Sequence, residues 1–266
     1  MRLSIVTAAW APTSQFLPLL AHSVAQFQRE VGSHHQLEWI VVEDGDDPCL
    51  EPVVRSAGLA AGTSTYLAVG RHVGVAQARN RALSFVTGDV VTNLDHDDVV
   101  QPAGFGKLLG LLERHRELGW AVGRADDLLP DGTTIAFPPP WDGRVEAEVV
   151  GAWWESHQRL PVHTVGFCVR TELARAVGGW MALDADDVGL SLAASALAPG
   201  WVSQQCCVHY RKHPHQQSAN EVWSARSWEE CSPVIRQRLR ALRSMTWNAP
   251  VEYPEPAAPT ALAATR

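Results

Sequence analysis

The sequence predicts an α/β fold in which a doubly wound, parallel sheet is flanked by helices. Two observations indicate this class. Short apolar segments typical of buried strands alternate with segments whose apolar residues recur at helical spacing. One apolar segment, 90–94, ends directly in acidic residues. Because open α/β sheets bind ligands at the carboxyl edge of their strands, this segment also predicts where a site lies.

The first 85 residues contain three predicted strands and two predicted helices. Each strand is a short apolar run, and each helix has apolar residues three or four positions apart. An acidic, turn-rich loop over 43–48 ends the second strand. In chain order the predictions are a strand over 3–8, a helix with apolar residues between 16 and 27, strands over 37–42 and 65–69, and a helix over 76–85.

The later part of the chain contains further predicted strands and helices, separated by stretches with a weaker pattern. Asp131-Gly132 is typical of a hairpin turn, and the tryptophan-containing stretch 138–161 shows only a weak pattern. A tail over 249–266 is rich in Pro, Ala and Thr, which predicts disorder. The predicted elements are a helix over 105–118, strands over 120–125 and 165–169, and helices over 172–177 and 188–197.

Composition limits the classes of protein to consider. The 266 residues carry a net charge of −7, which argues against a nucleic-acid partner because such a partner usually requires a basic face. The five cysteines form no C-x-x-C pair, so neither a disulfide framework nor a cysteine zinc site is indicated. The N-terminus enters a strand pattern directly, and no apolar stretch approaches the roughly 18 residues of a membrane span. We therefore expect a cytoplasmic protein with no transmembrane segment.

Three carboxylates follow the strand predicted over 90–94. Asp95 and Asp97 flank His96, so in extended backbone both carboxylates point to one side. Such a pair suits Mg²⁺ or Mn²⁺, which prefer oxygen ligands and complete their coordination with substrate phosphates. The alternative is a helix N-cap, where acids are also favoured. A cap explains one aspartate better than three, and we expect Asp98 to be the one that caps the following turn.

Seven segments of the chain form an ordered set of motifs: 4–10, 40–46, an A-R-N helix start within 74–83, a D-x-D within 94–98, a glycine pair at 178–180, 186–190 and 210–213. Together they resemble the motifs of the family 2 glycosyltransferases of GT-A fold, which transfer sugars from nucleotide-diphosphate donors. The resemblance extends over about 3–218, and it implies a GT-A, Rossmann-like mixed sheet that is mostly parallel. It also implies a single domain over 1–248, with a nucleotide-binding half over 1–125 and an acceptor-binding half over 126–248.

The resemblance implies residues for the metal and for the chemistry. Asp95 and Asp97 correspond to the D-x-D that binds Mn²⁺ or Mg²⁺, and His213 of the late segment is a further candidate ligand, with His209 as its alternative. The catalytic base of the family falls on Asp187. Asp186 replaces the usual Glu, which leaves open which of the two acids approaches the acceptor. Ala193 stands where an Arg often lies.

Further residues are predicted to bind the two substrates. For the donor nucleotide they are Thr7, Ala8, Glu43, Asp44, Arg79 and Asp95, with Arg79 gripping the diphosphate through its planar guanidinium. Tryptophans near a sugar site can stack on pyranose rings, and the candidates for the acceptor are Trp153, Trp154 and Trp180. The expected partners are a nucleotide-diphosphate sugar, UDP-sugars foremost, and a small-molecule or lipid-linked hydroxyl acceptor. A homodimer is an open alternative to the monomer.

Other functions remain as alternatives to inverting sugar transfer. A nucleotidyltransferase would need a phosphate loop rich in Gly and Lys or Arg after the first strand, and the segment 10–14 is not of that kind. A non-catalytic nucleotide-sugar-binding protein would have no reason to carry both the D-x-D acids and Asp187. A retaining glycosyltransferase also remains, because the fold and the D-x-D do not set stereochemistry.

Overall fold

A computed structural model describes residues 1–214, 216 and 221–245. The fold is one ten-stranded mixed sheet with helices packed on both faces. The strands are β1 Arg2–Ala9, β2 Gln36–Glu43, β3 Ser64–Ala68, β4 Val90–Asn93, β5 Val99–Val100, β6 Trp120–Leu128, β7 Thr134–Ile135, β8 Gly143–Val145, β9 Cys168–Arg170 and β10 Gly200–Arg211. The helices are α1 Leu17–Val31, α2 Glu51–Arg55, α3 Val75–Leu83, α4 Pro102–Arg114, α5 Val149–His157, α6 Thr171–Ala176, α7 Asp186–Leu197 and α8 Glu221–Leu242.

The first four strands form a parallel block of the sheet, in the order β3-β2-β1-β4. Successive side chains of β1 enter opposite cores because a strand alternates its faces. Ile5 packs in the core that contains residues of α1 such as Val24, whereas Val6 packs in the core that contains Ala78 of α3. Burial on both faces explains why these strands appear in the sequence as continuous apolar runs.

The second part of the sheet is mixed. β9 lies between β4 and β6 and is antiparallel to both, and β6 then pairs in parallel with β10. A mixed, mostly parallel sheet flanked by helices is therefore confirmed. Sequence analysis missed the twelve-residue strand β10. Register shifts between Val202 and Val208 interrupt the alternation of side chains by which a strand is recognised.

Helix α3 ties the two halves of the chain together through its central residues. The side-chain amide of Asn80 donates to the carbonyl of Trp180 at 2.6 Å, and its oxygen accepts from the Trp180 N–H at 2.9 Å. Gly179 has φ +68°, and a Cβ there would lie 2.2 Å from Asn80 Oδ1. The glycine is required for both reasons, since other residues avoid positive φ and would also collide with Asn80.

Within the described residues, no helix combines the length and the apolar character that a membrane crossing requires. The tail predicted to be disordered, 249–266, lies outside the described residues.

Candidate active site

A cavity of about 740 Å³ lies at the carboxyl ends of β1, β2 and β4. This volume is within the range of small-molecule sites. Its walls include residues from the ends of these strands, from the start of α3 and from the segment that opens α7. Tyr210, His213 and residues of α8 complete it. The fold thus brings the acids that follow β4 and the acids that open α7 to one cavity.

Three carboxylates concentrate negative charge at the end of β4. One oxygen from each of Asp95, Asp97 and Asp98 lies within 4.8 Å of the others. Burial raises the pKa of Asp98 well above its ordinary value, and the neighbouring carboxylates Asp95 and Asp97 raise it further. Asp98 Oδ2 accepts the Asp95 N–H at 3.1 Å, so Asp98 stabilises the turn that presents the other two.

His213 lies beside this cluster although it is distant from it in sequence. Its Nε2 lies 2.8 Å from Asp97 Oδ2, and the two residues are 116 positions apart. The carboxylate oxygens of Asp95 and Asp97 are ligands of the kind that Mn²⁺ and Mg²⁺ prefer, and the imidazole of His213 adds a nitrogen donor beside them. His209 lies elsewhere, with Nδ1 at 3.1 Å from Gln101 Nε2. Of the two histidines considered, His213 is the one beside Asp97.

Arg79 lies at the centre of a buried ion-pair network. Its Nη1 donates to both oxygens of Asp186 at 2.9 and 2.8 Å, and Nη2 donates to Asp95. Burial alone would lower the pKa of Arg79, but the carboxylates of Asp186 and Asp95 outweigh it and the pKa is raised. Although Arg79 borders the cavity, its side chain is only 4% exposed. The guanidinium thus joins β4 to α7, and its expected contact with the diphosphate stays a prediction.

The two acids that open α7 differ in their surroundings. Asp186 is buried against Arg79, and burial raises its pKa to about 7 although Arg79 opposes the shift. Asp187 is half-buried and borders the cavity. Its Oδ2 accepts the Thr164 hydroxyl at 2.5 Å and its Oδ1 accepts the Val188 N–H at 2.7 Å. The N-cap position itself belongs to residue 185, so neither acid occupies it. Asp187 is thus held in place and accessible, whereas Asp186 is taken up by an ion pair.

The residues predicted to bind the nucleotide fall into two groups. Ala8 and Asp44 border the cavity, and Asp44 accepts the N–H groups of Val73 and Gly74 at 2.6 and 2.9 Å, which shapes the loop before α3. Glu43 and Thr7 are buried away from it. The Glu43 carboxylate accepts hydrogen bonds from the N–H groups of 49 and 50 and from a tyrosine hydroxyl. The prediction that Glu43 contacts the base is therefore corrected: it anchors the acidic loop.

Thr7 is also corrected as a side-chain contact. It is fully buried, and its hydroxyl accepts the indole N–H of Trp39 at 3.1 Å.

The tryptophans proposed for the acceptor are packing residues. Trp154 and Trp180 are 0% and 1% exposed, which leaves no face for a sugar. Trp153 stacks on His157 with ring centroids 3.9 Å apart, outside the set of described residues that border the cavity. The aromatic side chains that do border it are Trp10, Tyr210 and Trp228. Trp10 and Tyr210 stand within recognised motifs, whereas Trp228 of α8 stands beyond them and no sequence signal indicated it.

Comparisons with known proteins agree with this geometry. A sequence model described as Glycosyl transferase family 2 matches residues 4–146, more than half of the chain. The structure is similar to S. aureus TarS 1-349 in complex with UDP-GlcNAc, with a TM-score of 0.69 and 16% identity over 90% of this chain and 66% of that one. It is also similar to S. aureus TarS, with a TM-score of 0.63 and 15% identity over 88% of this chain and 39% of that one. A search of curated proteins finds no match.

These matches have different weight. The structural likeness at such low identity demonstrates a shared fold, and the chain spans just under two thirds of the length of TarS 1-349. The family match rests on the sequence itself and includes the strand ends that carry Asp44, Asp95 and Asp97. The chain therefore belongs to glycosyl transferase family 2.

Proposed function

We propose that this enzyme transfers a sugar from a nucleotide-diphosphate donor to a hydroxyl acceptor, with inversion at the anomeric carbon and with the help of Mn²⁺ or Mg²⁺. The observation that carries the proposal is the composition of one cavity. Asp95, Asp97 and His213, side chains of the kind that bind a divalent cation, border the same cavity as the accessible carboxylate of Asp187, and this supports the proposal.

Asp97 and His213 would hold the cation, with Asp95 as a further oxygen ligand. A bound divalent cation supplies Lewis-acid stabilisation of the charge that builds on a departing diphosphate. Asp98 and Arg79 do not need to touch the donor for this. Asp98 fixes the turn through the Asp95 N–H, and Arg79 fixes the Asp95 carboxylate.

Asp187 would accept the proton of the acceptor hydroxyl as that oxygen attacks the anomeric carbon. The Thr164 hydroxyl and the Val188 N–H hold its carboxylate, which orients it before the acceptor arrives. A base on the face opposite the leaving group gives inversion, as in inverting glycosidases. Asp186 is occupied by Arg79 and is the weaker candidate for the base.

The other end of the cavity suits the nucleotide. Trp10 is 44% exposed there, and its ring lies 5.4 Å from that of His72 between ring centroids. An exposed indole beside a loop fixed by Asp44 can stack on a base. The TarS structures in complex with UDP and with UDP-GlcNAc support a UDP-sugar as the donor. Melting temperatures with UDP, GDP, dTDP, CDP and ADP in the presence of Mn²⁺ would test this, since only a bound nucleotide raises the melting temperature.

Removing the metal ion and replacing Asp97 are each expected to weaken nucleotide binding, because both changes affect the same site. In isothermal calorimetry, UDP affinity should fall on addition of EDTA and in Asp97→Asn, and EDTA should have little further effect on the variant. Asp127→Asn is the matched control, because Asp127 pairs with Lys212 at 3.2 Å outside the residues that border the cavity. Unchanged UDP affinity in both tests would remove the cation from donor binding.

The substitution His213→Ala is expected to weaken Mn²⁺ binding about 10-fold or more, because it removes the imidazole beside Asp97. Mn²⁺ affinity can be read from the paramagnetic resonance signal of the free ion. His209→Ala should leave that affinity unchanged. Equal affinities in wild type and His213→Ala would show that the histidine serves only to hold Asp97.

The stereochemistry and the acceptor class have direct tests. With a UDP-sugar donor, the anomeric configuration of the product by NMR distinguishes inversion from retention. A retained configuration would contradict the role of Asp187 as base. If the nucleotide binds but no sugar is transferred to any small-molecule or lipid-linked acceptor, the result would favour a non-catalytic binding protein.

A further inference from the structure

A second cluster of metal-binding side chains lies on the strand pair β6–β10. Asp126, Cys206 and His209 each offer one ligand atom, and these atoms lie within 4.8 Å of one another. Among the residues that the structure describes, none of the three borders the active-site cavity. The cluster also differs in chemistry from the aspartates after β4, because it combines sulfur, nitrogen and oxygen.

The irregular register of β10 creates this cluster. In a regular strand, residues three positions apart point to opposite faces. Here Cys206 pairs with Arg124 and Val208 pairs with Ala125, so that Cys207 is an extra residue and His209 falls opposite Asp126. Cys206 and His209 are thereby brought to the face that carries Asp126.

Gly123 accommodates the extra residue. A Cβ at this glycine would lie 2.0 Å from Cys207 Sγ, so the buried Cys207 side chain occupies the space that the missing side chain leaves. The bulge is therefore packed and specific, which explains how a strand irregularity can hold three ligand side chains in a fixed arrangement.

The surroundings orient the three side chains. Arg124 binds both oxygens of Asp126, with Nε–Oδ1 at 2.6 Å and Nη2–Oδ2 at 2.9 Å, and leaves lone pairs on each oxygen. Gln101 contacts Nδ1 of His209 at 3.1 Å and fixes the ring. Burial lowers the pKa of His209, which keeps the imidazole in the neutral form that binds metals. Such supporting contacts are typical of metal centres.

We propose that Asp126, Cys206 and His209 bind a thiophilic divalent cation of the zinc type. Zinc takes this mixed set of ligands in tetrahedral sites, with bonds of about 2.0–2.3 Å that place ligand atoms about 3.3–3.8 Å apart. The cluster can meet that requirement with small side-chain shifts, and a water completes four ligands. Mn²⁺ and Mg²⁺, which favour oxygen ligands, prefer the aspartates after β4.

Binding involves the loss of one proton. Burial raises the pKa of the Cys206 thiol to about 11, and the carboxylate of Asp126 adds to the shift, so the free site holds a thiol. The cation replaces that proton to form a metal–thiolate bond, and the proton passes to solvent with no change of oxidation state. The bound cation would join β6 to the bulged part of β10. Because His209 pairs with Val99, the bound cation would also stabilise β5, the strand that follows the D-x-D turn.

Cobalt(II) titration of the full chain tests the proposal, because a thiolate ligand gives Co²⁺ an intense near-ultraviolet charge-transfer band. All proteins carry Cys49→Ser, since Cys49 is exposed and could bind Co²⁺ by itself. We expect one equivalent of Co²⁺ to produce the band, Zn²⁺ to abolish it, and binding to release one proton more than in Cys206→Ser. Cys206→Ser should lose the band, and His209→Ala should lower the affinity at least about 10-fold.

Two control variants distinguish this site from the neighbouring thiol and from the aspartates after β4. Cys207→Ser removes that thiol and Asp97→Asn disables the aspartate cluster, and both should keep the band. Circular dichroism would establish whether each variant is folded. No band in the starting protein, or a band that survives in Cys206→Ser, would overturn the proposal and reduce the cluster to the Arg124–Asp126 ion pair packed beside a thiol.

Discussion

Asp187→Asn is expected to lower the rate of sugar transfer by about 10² to 10⁴, the usual cost of losing a general base. Donor affinity should survive, because the nucleotide and diphosphate bind elsewhere in the cavity. The amide keeps the shape of the side chain: its oxygen can still accept the Val188 N–H, and its NH₂ group can donate to the Thr164 hydroxyl oxygen, so the local structure should persist. Initial rates of transfer, or of donor hydrolysis where no acceptor is supplied, together with calorimetric titration of UDP, measure both quantities.

Asp186→Asn is the matched control for this prediction. Asp186 is buried against Arg79, so its substitution should lower stability more than turnover. If Asp186→Asn abolishes transfer and Asp187→Asn does not, the base is the first acid of the pair. If both variants retain the wild-type rate, inversion with an aspartate base is ruled out at this position.

Arg79→Met is expected to give the largest loss of stability. Removing one partner from a buried ion pair commonly costs about 3–5 kcal/mol, because the remaining charges are left unpaired out of water. Here two carboxylates, Asp95 and Asp186, lose their partner together. The total free energy of unfolding of a protein is only about 5–15 kcal/mol, so the loss should be plain in urea denaturation. Donor binding should weaken as well, since Asp95 loses the contact that positions it.

Arg144→Met provides the comparison. Arg144 pairs with Glu146 and Glu117 at the surface, where water screens the charges, and its substitution should change stability little. The double variant Arg79→Met with Asp186→Asn should recover part of the loss, because one unpaired charge is removed with its partner. If Arg79→Met is no less stable than Arg144→Met, the buried network does not stabilise the fold.

Much of the fold followed from local patterns in the sequence. The parallel strands β1, β2 and β4 were predicted close to their observed bounds, because burial on both faces gives a continuous apolar run. Asp95 and Asp97 were identified as candidates for the same reason, since acids that directly follow such a run must lie at the carboxyl edge of the sheet. Patterns of this kind depend only on neighbours in sequence.

The prediction failed where a role depends on a distant partner. No local pattern indicated that the guanidinium of Arg79 is joined to Asp186, 107 residues away. Trp154 and Trp180 were expected at the sugar, but the packing of the helices buries them in the core. Trp228 borders the cavity because α8 returns to it, and helical spacing alone does not specify what a helix packs against.

By itself, the sequence determined the class of fold, and it indicated the edge of the sheet that carries the site and the candidate acids Asp95, Asp97 and Asp187, since each depends on local periodicity or on an ordered motif. Only the tertiary structure decided which groups those acids meet. It placed His213 beside Asp97, paired Asp186 with Arg79, left Asp187 accessible and, through the bulge in β10, gathered Asp126, Cys206 and His209. Contacts between segments a hundred residues apart arise from the packing of whole elements, and no local pattern records them.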